Sequence, residues 1–270
     1  MEWFDSIVAG VHLVPLDTLP LRPLLALCRR IVAGYPILYS SGLISKILSD
    51  DLNSNVDKVE RALAEMEREA LLDRQLASGS DAAGPAGSAG AGGGGAPTPG
   101  ADAGGAASPP PASSPSSQRS TTSRPGLGYA PAVGPFFSDL ADFSPTPSAE
   151  GVYGARWIVR VLRFVVLLLQ KLGSEPALSI SLAGRQTYTA IIAPHHAPVM
   201  GFVVKCVLYW APTRAWVLHN TLKGATNADA SAACLRVSAA LGPLAEACHA
   251  LLARRGLNFH DIISAVPGGF

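Results

Sequence analysis

Charge is scarce in this chain. Only 15% of its 270 residues are charged, well under the ~25% of an ordinary soluble domain. Acids and bases nearly cancel, to a formal net charge of +1. No basic stripe with interleaved aromatics runs along the sequence, so a nucleic-acid partner is not expected. Cysteine is sparse as well: Cys28, Cys206, Cys234 and Cys248 show no CxxC spacing, and reduced thiols in the cytosol are expected. The adjacent His195 and His196 lack an HExxH or Cys/His companion, so no metal is expected. A GxSxG elbow, a catalytic-cysteine signature and a GxxxxGK[ST] phosphate cradle are all missing. The longest apolar run, WIVRVLRFVVLLLQKL, is too short for a membrane span and contains Arg160 and Arg163. The opening MEWFDSIVAG carries acids where a secretory signal needs positive charge. These absences predict a cytoplasmic protein without cofactor or nucleophile.

What the chain has in abundance is apolar residues, 48% of the total, and one low-complexity segment. From Ser78 onward Gly, Ala, Pro and Ser dominate, and between Asp81 and Arg119 the only charged side chain is Asp102. Such a composition cannot bury a core or hold a helix, which predicts a disordered insertion over 78–150. Aromatics within 126–143 are candidates for local docking. The remaining parts are an N-terminal extension (1–20) and two pieces of one helical domain (21–77 and 151–270). They leave about 190–200 residues, enough for one substantial core.

Helical signals fill both pieces. LRPLLALCRRIVAG has proline in its first turn and glycine at its end. A second helix is predicted from Gly42 to Ala77, and a third, apolar almost all round, over ARWIVRVLRFVVLLLQKLG. Pro194 and Pro198 bracket a break at the histidines, with Pro198 suited to open the next helix. The last helix has Asn227 or Asp229 as its expected cap and a bend at Gly242-Pro243. The fold class is therefore all-α: a helical bundle with more apolar surface than its own packing requires.

One helix carries an oddly placed polar ridge. At 100° per residue, Leu48, Leu52, Val56, Val59, Leu63 and Met66 form an apolar sector, with Lys46, Ser49, Asn53, Asp57 and Glu60 on a solvent face. Asp51, Asn55 and Lys58 line up on the other side, among Ile44, Ile47 and Ala62. A surface ion pair beside an amide would account for them at ~0.3–0.5 kcal/mol. On the central helix Trp157, Arg160 and Phe164 share a face, where a core aromatic and a snorkelling arginine are equally compatible with the spacing.

Taken in order, DLNSNVDK, WIVRVLRF and HAPVMGFVVKCVLYWAP resemble the glycolipid transfer protein family. The matching positions are Asp51, Asn55, Lys58, Trp157, Arg160 and His196, with Tyr188 eight residues before the histidine. LNF at 257–259 is similar to the family's terminal Leu-Asn-Tyr. The resemblance implies a two-layer all-α fold that carries one sphingolipid or glycolipid between membranes and has no enzymatic activity. It implies that Asp51 accepts from the ceramide amide and sugar hydroxyls, and that Asn55 and Lys58 contact headgroup oxygens. Trp157 would be a stacking plate for the sugar, His196 a donor to the acyl carbonyl, and Arg160 a support for Asp51 or a headgroup contact. It further implies a monomer that touches membranes peripherally and transiently.

The chain departs from the family in three places. Members that carry ceramide-1-phosphate place a cation where Trp157 stands, so Trp157 favours a sugar. Lys58, Arg160, Arg163 and Arg185 keep a phosphate site open as the alternative. A surface tryptophan two residues after the histidine is here Pro198, leaving Trp210, Trp216, Trp3 and Phe4 as candidate interfacial anchors. The insertion falls where the family has another helix. Two other function classes stay open: a lipid sensor or adaptor on the same fold, and a hydrolase built on Asp51 and His196.

Overall fold

The computed structural model describes residues 1–35, 42–80, 137–143, 150–220 and 222–257, and among these every regular element is helical. In order they are α1 (Glu2–Val11), α2 (Leu21–Ala33), α3 (Gly42–Ser80), α4 (Phe137–Phe143), α5 (Glu150–Ser174), α6 (Ile180–Ile191), a 3₁₀ turn (Ala193–His195), α7 (Pro198–Tyr209), α8 (Arg214–Asn220) and α9 (Asn227–Arg254). The chain divides into two compact units, residues 1–71 with 129–270, and residues 72–128. In the second unit the described residues are the last turns of α3. Everything that follows lies in the first.

The apolar sector of α3 is its core face: Leu52, Val56, Val59, Leu63 and Met66 are buried and Leu48 half-buried. Burying side chains of this size stabilises by roughly 1.5–3 kcal/mol each. On the opposite face Arg29 of α2 donates to Asp57 (2.9 Å) and Glu60 (2.8 Å), and Arg22 to Glu67 (2.7 Å). These contacts set α2 antiparallel to α3. The predicted start of α2 holds, with Pro20 just before it and Gly34 just after.

α5 is the central helix, packed against α6 and α9, while α1 packs on α2 and α9. Its seat on α3 depends on two glycines. A Cβ at Gly151 would lie 2.5 Å from that of Ala62, and one at Gly154 would lie 2.6 Å from the carbonyl oxygen of Asn55. Backbone meets backbone there, which fixes the polar ridge of α3 against the tryptophan turn of α5.

Two expectations meet a different outcome, and one, the local docking of aromatics within 126–143, is met. Residues 1–20 form α1 and its following turns, and Phe4, Ile7, Val11 and Val14 join the core. The cap of α9 is Thr226 rather than Asn227 or Asp229. Its hydroxyl accepts from the Asp229 N–H, while the Asp229 carboxylate accepts from the Thr226 N–H, a capping box that a threonine three residues before an aspartate provides. The helix then runs on through Pro243. Of the segment 78–150, the described part includes α4, where Phe137 and Leu140 are buried and the Phe137 N–H donates to the Leu19 carbonyl (2.9 Å). Residues 81–136 and 144–149, and Asn258 and Phe259 of the LNF match, lie outside the described residues.

Candidate functional site

A cavity of 220 Å³ opens between α1, α2, α3, α5, α6 and α7. Ile31, Leu52, Val161, Leu169, Ile192 and Val204 are typical of its wall. The polar groups reaching it are few: the Asp51 carboxylate, the His196 ring, the Tyr188 hydroxyl, and the rings of Trp157, Trp3 and Tyr35. Among the described residues, no helix is long and apolar enough to cross a membrane, and no cluster of His, Cys, Asp and Glu is fit to hold a metal.

Of the six residues singled out in the sequence, Asp51, Trp157 and His196 line the cavity directly. The Trp157 and His196 rings lie 5.0 Å apart and tilted by 32°. The Arg160 guanidinium stands over the indole, 5.1 Å from its centroid. Trp157 is 5% exposed, and its buried Nε1–H has no hydrogen-bond partner among the described residues. Asn55 is buried and does not reach the cavity: its amide N–H donates to the Asp51 carbonyl (2.8 Å), and its oxygen faces the Lys58 ammonium (3.4 Å). Lys58 lies 4.7 Å above the centroid of the Tyr153 ring.

Local electrostatics follow from this packing. Much of Asp51 is exposed, yet its carboxyl has lost enough hydration to sit above its ordinary pKa, with the Lys58 ammonium pulling the other way. His196 is held below its ordinary value, first by burial and then by the Arg160 charge, so it is neutral at physiological pH. Its Nδ1 shares a 2.9 Å hydrogen bond with the Tyr188 hydroxyl, whose own pKa burial raises. That bond occupies one ring nitrogen and leaves Nε2 for another partner. Burial pushes the Cys28 and Cys248 thiols up to about 12 and Cys234 up to about 11, far from the thiolate form a nucleophile needs.

Two residues of this neighbourhood escaped the sequence reading. Tyr153 lies one turn before Trp157, with ring centroids 6.4 Å apart, and gathers both Lys58 and the Arg156 guanidinium (5.8 Å) on its ring. Arg156 itself is 4% exposed. The available signal was an aromatic at i−4 from the tryptophan and a second arginine at i−4 from Arg160. The two remaining cations considered for a phosphate site are engaged elsewhere, Arg163 with Glu246 (3.1 Å) and Arg185 over the Tyr209 ring (5.8 Å).

Among the described residues the fold is all-helical and encloses an apolar cavity, with a few polar groups gathered at one place on its wall. The resemblance drawn from the motifs is borne out, since residues 144–224 match the family model described as Glycolipid transfer protein (GLTP). No curated protein matches the chain by sequence. Among solved structures, human ceramide-1-phosphate transfer protein in complex with 12:0 ceramide-1-phosphate superposes with a TM-score of 0.62 at 14% identity, over 95% of this chain and 98% of that one. The apo form of the mouse ceramide-1-phosphate transfer protein gives 0.62 at 12% identity, over 95% and 98%. A mutant of Arabidopsis accelerated-cell-death 11 complexed with C12 ceramide-1-phosphate gives 0.58 at 14% identity, over 96% and 98%. At such identities the likeness establishes the fold, and the two-layer all-α expectation holds.

Proposed function

We propose that the protein binds one sphingolipid, moves it between membranes, and holds a phosphate-bearing headgroup at the Asp51–Lys58–Arg160 corner of the cavity. The observation that carries the headgroup choice is the burial of Trp157. At 5% exposure, with a guanidinium over its ring and the His196 ring 5.0 Å away, the indole leaves little open face on which a sugar could lie. Lys58 beside Asp51, and Arg160 over Trp157 beside His196, bring positive charge to this end of the cavity, which suits a phosphate monoester carrying about −1.5 to −2 at pH 7. The ceramide-1-phosphate in the similar human and Arabidopsis structures supports the same choice.

Each polar group then has a task on the lipid. Asp51 accepts from the ceramide amide N–H. Neutral His196, taking the Tyr188 O–H on Nδ1, presents Nε2–H to the acyl carbonyl. Asn55 holds Lys58 toward the headgroup rather than touching the lipid itself, and the Trp157 N–H, without a partner among the described residues, offers a further donor. The tails occupy the apolar wall, where each methylene gains roughly 0.8 kcal/mol over water. Tails alone cannot be told apart, so discrimination comes from donors and acceptors that a wrong headgroup leaves unpaired, at ~1–3 kcal/mol each. Binding and release are the whole of the chemistry.

Transfer requires contact with a bilayer, and α7 supplies the surface. Its inner residues Met200, Val204 and Leu208 line the cavity. Its outer residues Val199 (72%), Phe202 (69%) and the following Trp210 (75%) are exposed. Of the four candidate anchors only Trp210 faces out. Phe4 is buried, Trp3 is held by the Arg30 carbonyl (2.9 Å), and Trp216 packs against the core. A helix that is apolar on both sides, resting on a membrane, puts lipid and cavity on the two sides of one wall.

Lipid extracted from the purified protein and identified by mass spectrometry tests the reading, alongside binding to vesicles containing ceramide-1-phosphate or neutral glucosylceramide. Lys58→Ala and Arg160→Ala are each expected to weaken ceramide-1-phosphate binding about tenfold or more, the worth of one charge-assisted hydrogen bond, with ceramide binding little changed. Recovery of a sugar-bearing lipid, or equal losses for both lipids, overturns the phosphate assignment.

A further inference from the structure

We propose that Trp3, seated on Gly34, sets how long a hydrocarbon tail the cavity admits. The inference rests on the lipid reading above but concerns the tails and not the headgroup. Among the described residues Trp3 is the one that α1 contributes to the cavity wall. Its position is fixed from three directions. The indole N–H donates to the Arg30 carbonyl (2.9 Å), the Phe4 ring meets it edge-on at 5.0 Å, and Gly34 lies directly beneath it. A Cβ at residue 34 would fall 2.1 Å from Cε2 and 2.2 Å from Cζ2 of the ring, so no residue but glycine leaves room for the indole there. Backbone conformation does not demand this glycine, since its φ of −82° suits any residue. The seat exists for the ring.

The volume argument gives this contact its consequence. At 220 Å³ the cavity is smaller than the roughly 300–1,000 Å³ of ordinary ligand pockets, so the wall decides what enters. Most of that wall is aliphatic and yields by changing rotamers. A tryptophan pinned by a hydrogen bond and a glycine seat is the stiff part. Every methylene that the wall keeps out of the cavity costs about fourfold in affinity, which makes the preferred chain length a sensitive readout of where the indole stands. Removing the ring adds space continuous with the cavity. A methyl group on residue 34 drives the ring off its seat and into the space the tail would use.

The experiment measures uptake by the full chain of ceramide-1-phosphates with acyl chains of about 8 to 24 carbons, together with free fatty acids of the same lengths. Trp3→Ala is expected to move the preferred length upward by several carbons, and Gly34→Ala to move it downward, with at least a tenfold loss for the longest chains. Trp3→Leu, which keeps an apolar group in the core, carries the first expectation in smaller measure should Trp3→Ala melt α1. Identical length profiles in folded Trp3→Leu and Gly34→Ala proteins overturn the proposal while leaving the headgroup reading intact. If no phosphate lipid of any length is taken up but the fatty-acid optimum still shifts, the headgroup reading falls and the role of Trp3 stands.

Discussion

Two helices of this protein are mostly apolar, and they have opposite fates. α5 carries five charged residues, Glu150, Arg156, Arg160, Arg163 and Lys171, yet it runs through the middle of the fold, with Arg156 and Arg160 themselves buried. α7 carries one, Lys205, yet Val199, Phe202 and Tyr209 along it stand in the open. Water alone would sort these two helices the other way round. The inversion makes sense where the inner helix must hold a polar end of a ligand and the outer one must meet a lipid surface. Buried cations and exposed aliphatics are then two halves of one task.

A matched pair of substitutions breaks this comparison most strongly. Ile158→Glu on α5 places a carboxylate where the side chain is 1% exposed, and a loss of more than about 4 kcal/mol is expected, enough to unfold the domain in a thermal melt. Phe202→Glu on α7 puts the same charge on a residue 69% exposed, and stability should stay within about 0.5 kcal/mol of the parent. Vesicle flotation reverses the ranking: the folded Phe202→Glu protein should lose about tenfold or more in membrane partitioning, because burying that ring contributes roughly 1.5–3 kcal/mol. If flotation is unchanged, the outer face of α7 is not the membrane contact.

Gly154→Ala sharpens the contrast within α5. The added methyl meets the Asn55 carbonyl oxygen at 2.6 Å, so α3 and α5 must part. An overpacking cost of about 1–3 kcal/mol is expected in a denaturant melt. Lipid binding should fall with it, since Asn55 and Lys58 ride on the displaced turn. A variant that binds normally would show that the spacing of these two helices does not position the headgroup groups.

The sequence carried the α3 stripe in full, because a 3.6-residue period states which face is inside whatever lies opposite. It also brought Asp51, Trp157 and His196 to one neighbourhood, through motifs on two helices and at the break before α7. It could not say that Trp157 is closed in, because the guanidinium that covers the indole sits three residues away and is equally compatible with snorkelling outward. Nor could periodicity reveal Trp3 on the cavity wall. Its position is set by the clearance over Gly34, a contact between two parts of the chain that no spacing within either one encodes.

Asp51 offers the smallest and most diagnostic effect. Lost hydration raises its folded pKa above the unfolded value, and that outweighs the attraction of Lys58. A carboxyl with a raised folded pKa is a burden on stability when ionised: the penalty is complete above the folded pKa and disappears as pH falls below the unfolded one. Asp51→Asn removes the charge and keeps the shape. Its melting temperature should therefore exceed the parent's at pH 7, and the two curves should converge as the pH drops toward 3.8 and below. Ceramide-1-phosphate binding should fall over the same neutral range, because the amide can no longer accept with full charge from the ceramide N–H. A protein stabilised by the very change that disables it would mark Asp51 as a residue kept for the ligand; a destabilised variant at pH 7 would mark it as a structural partner of Lys58 and nothing more.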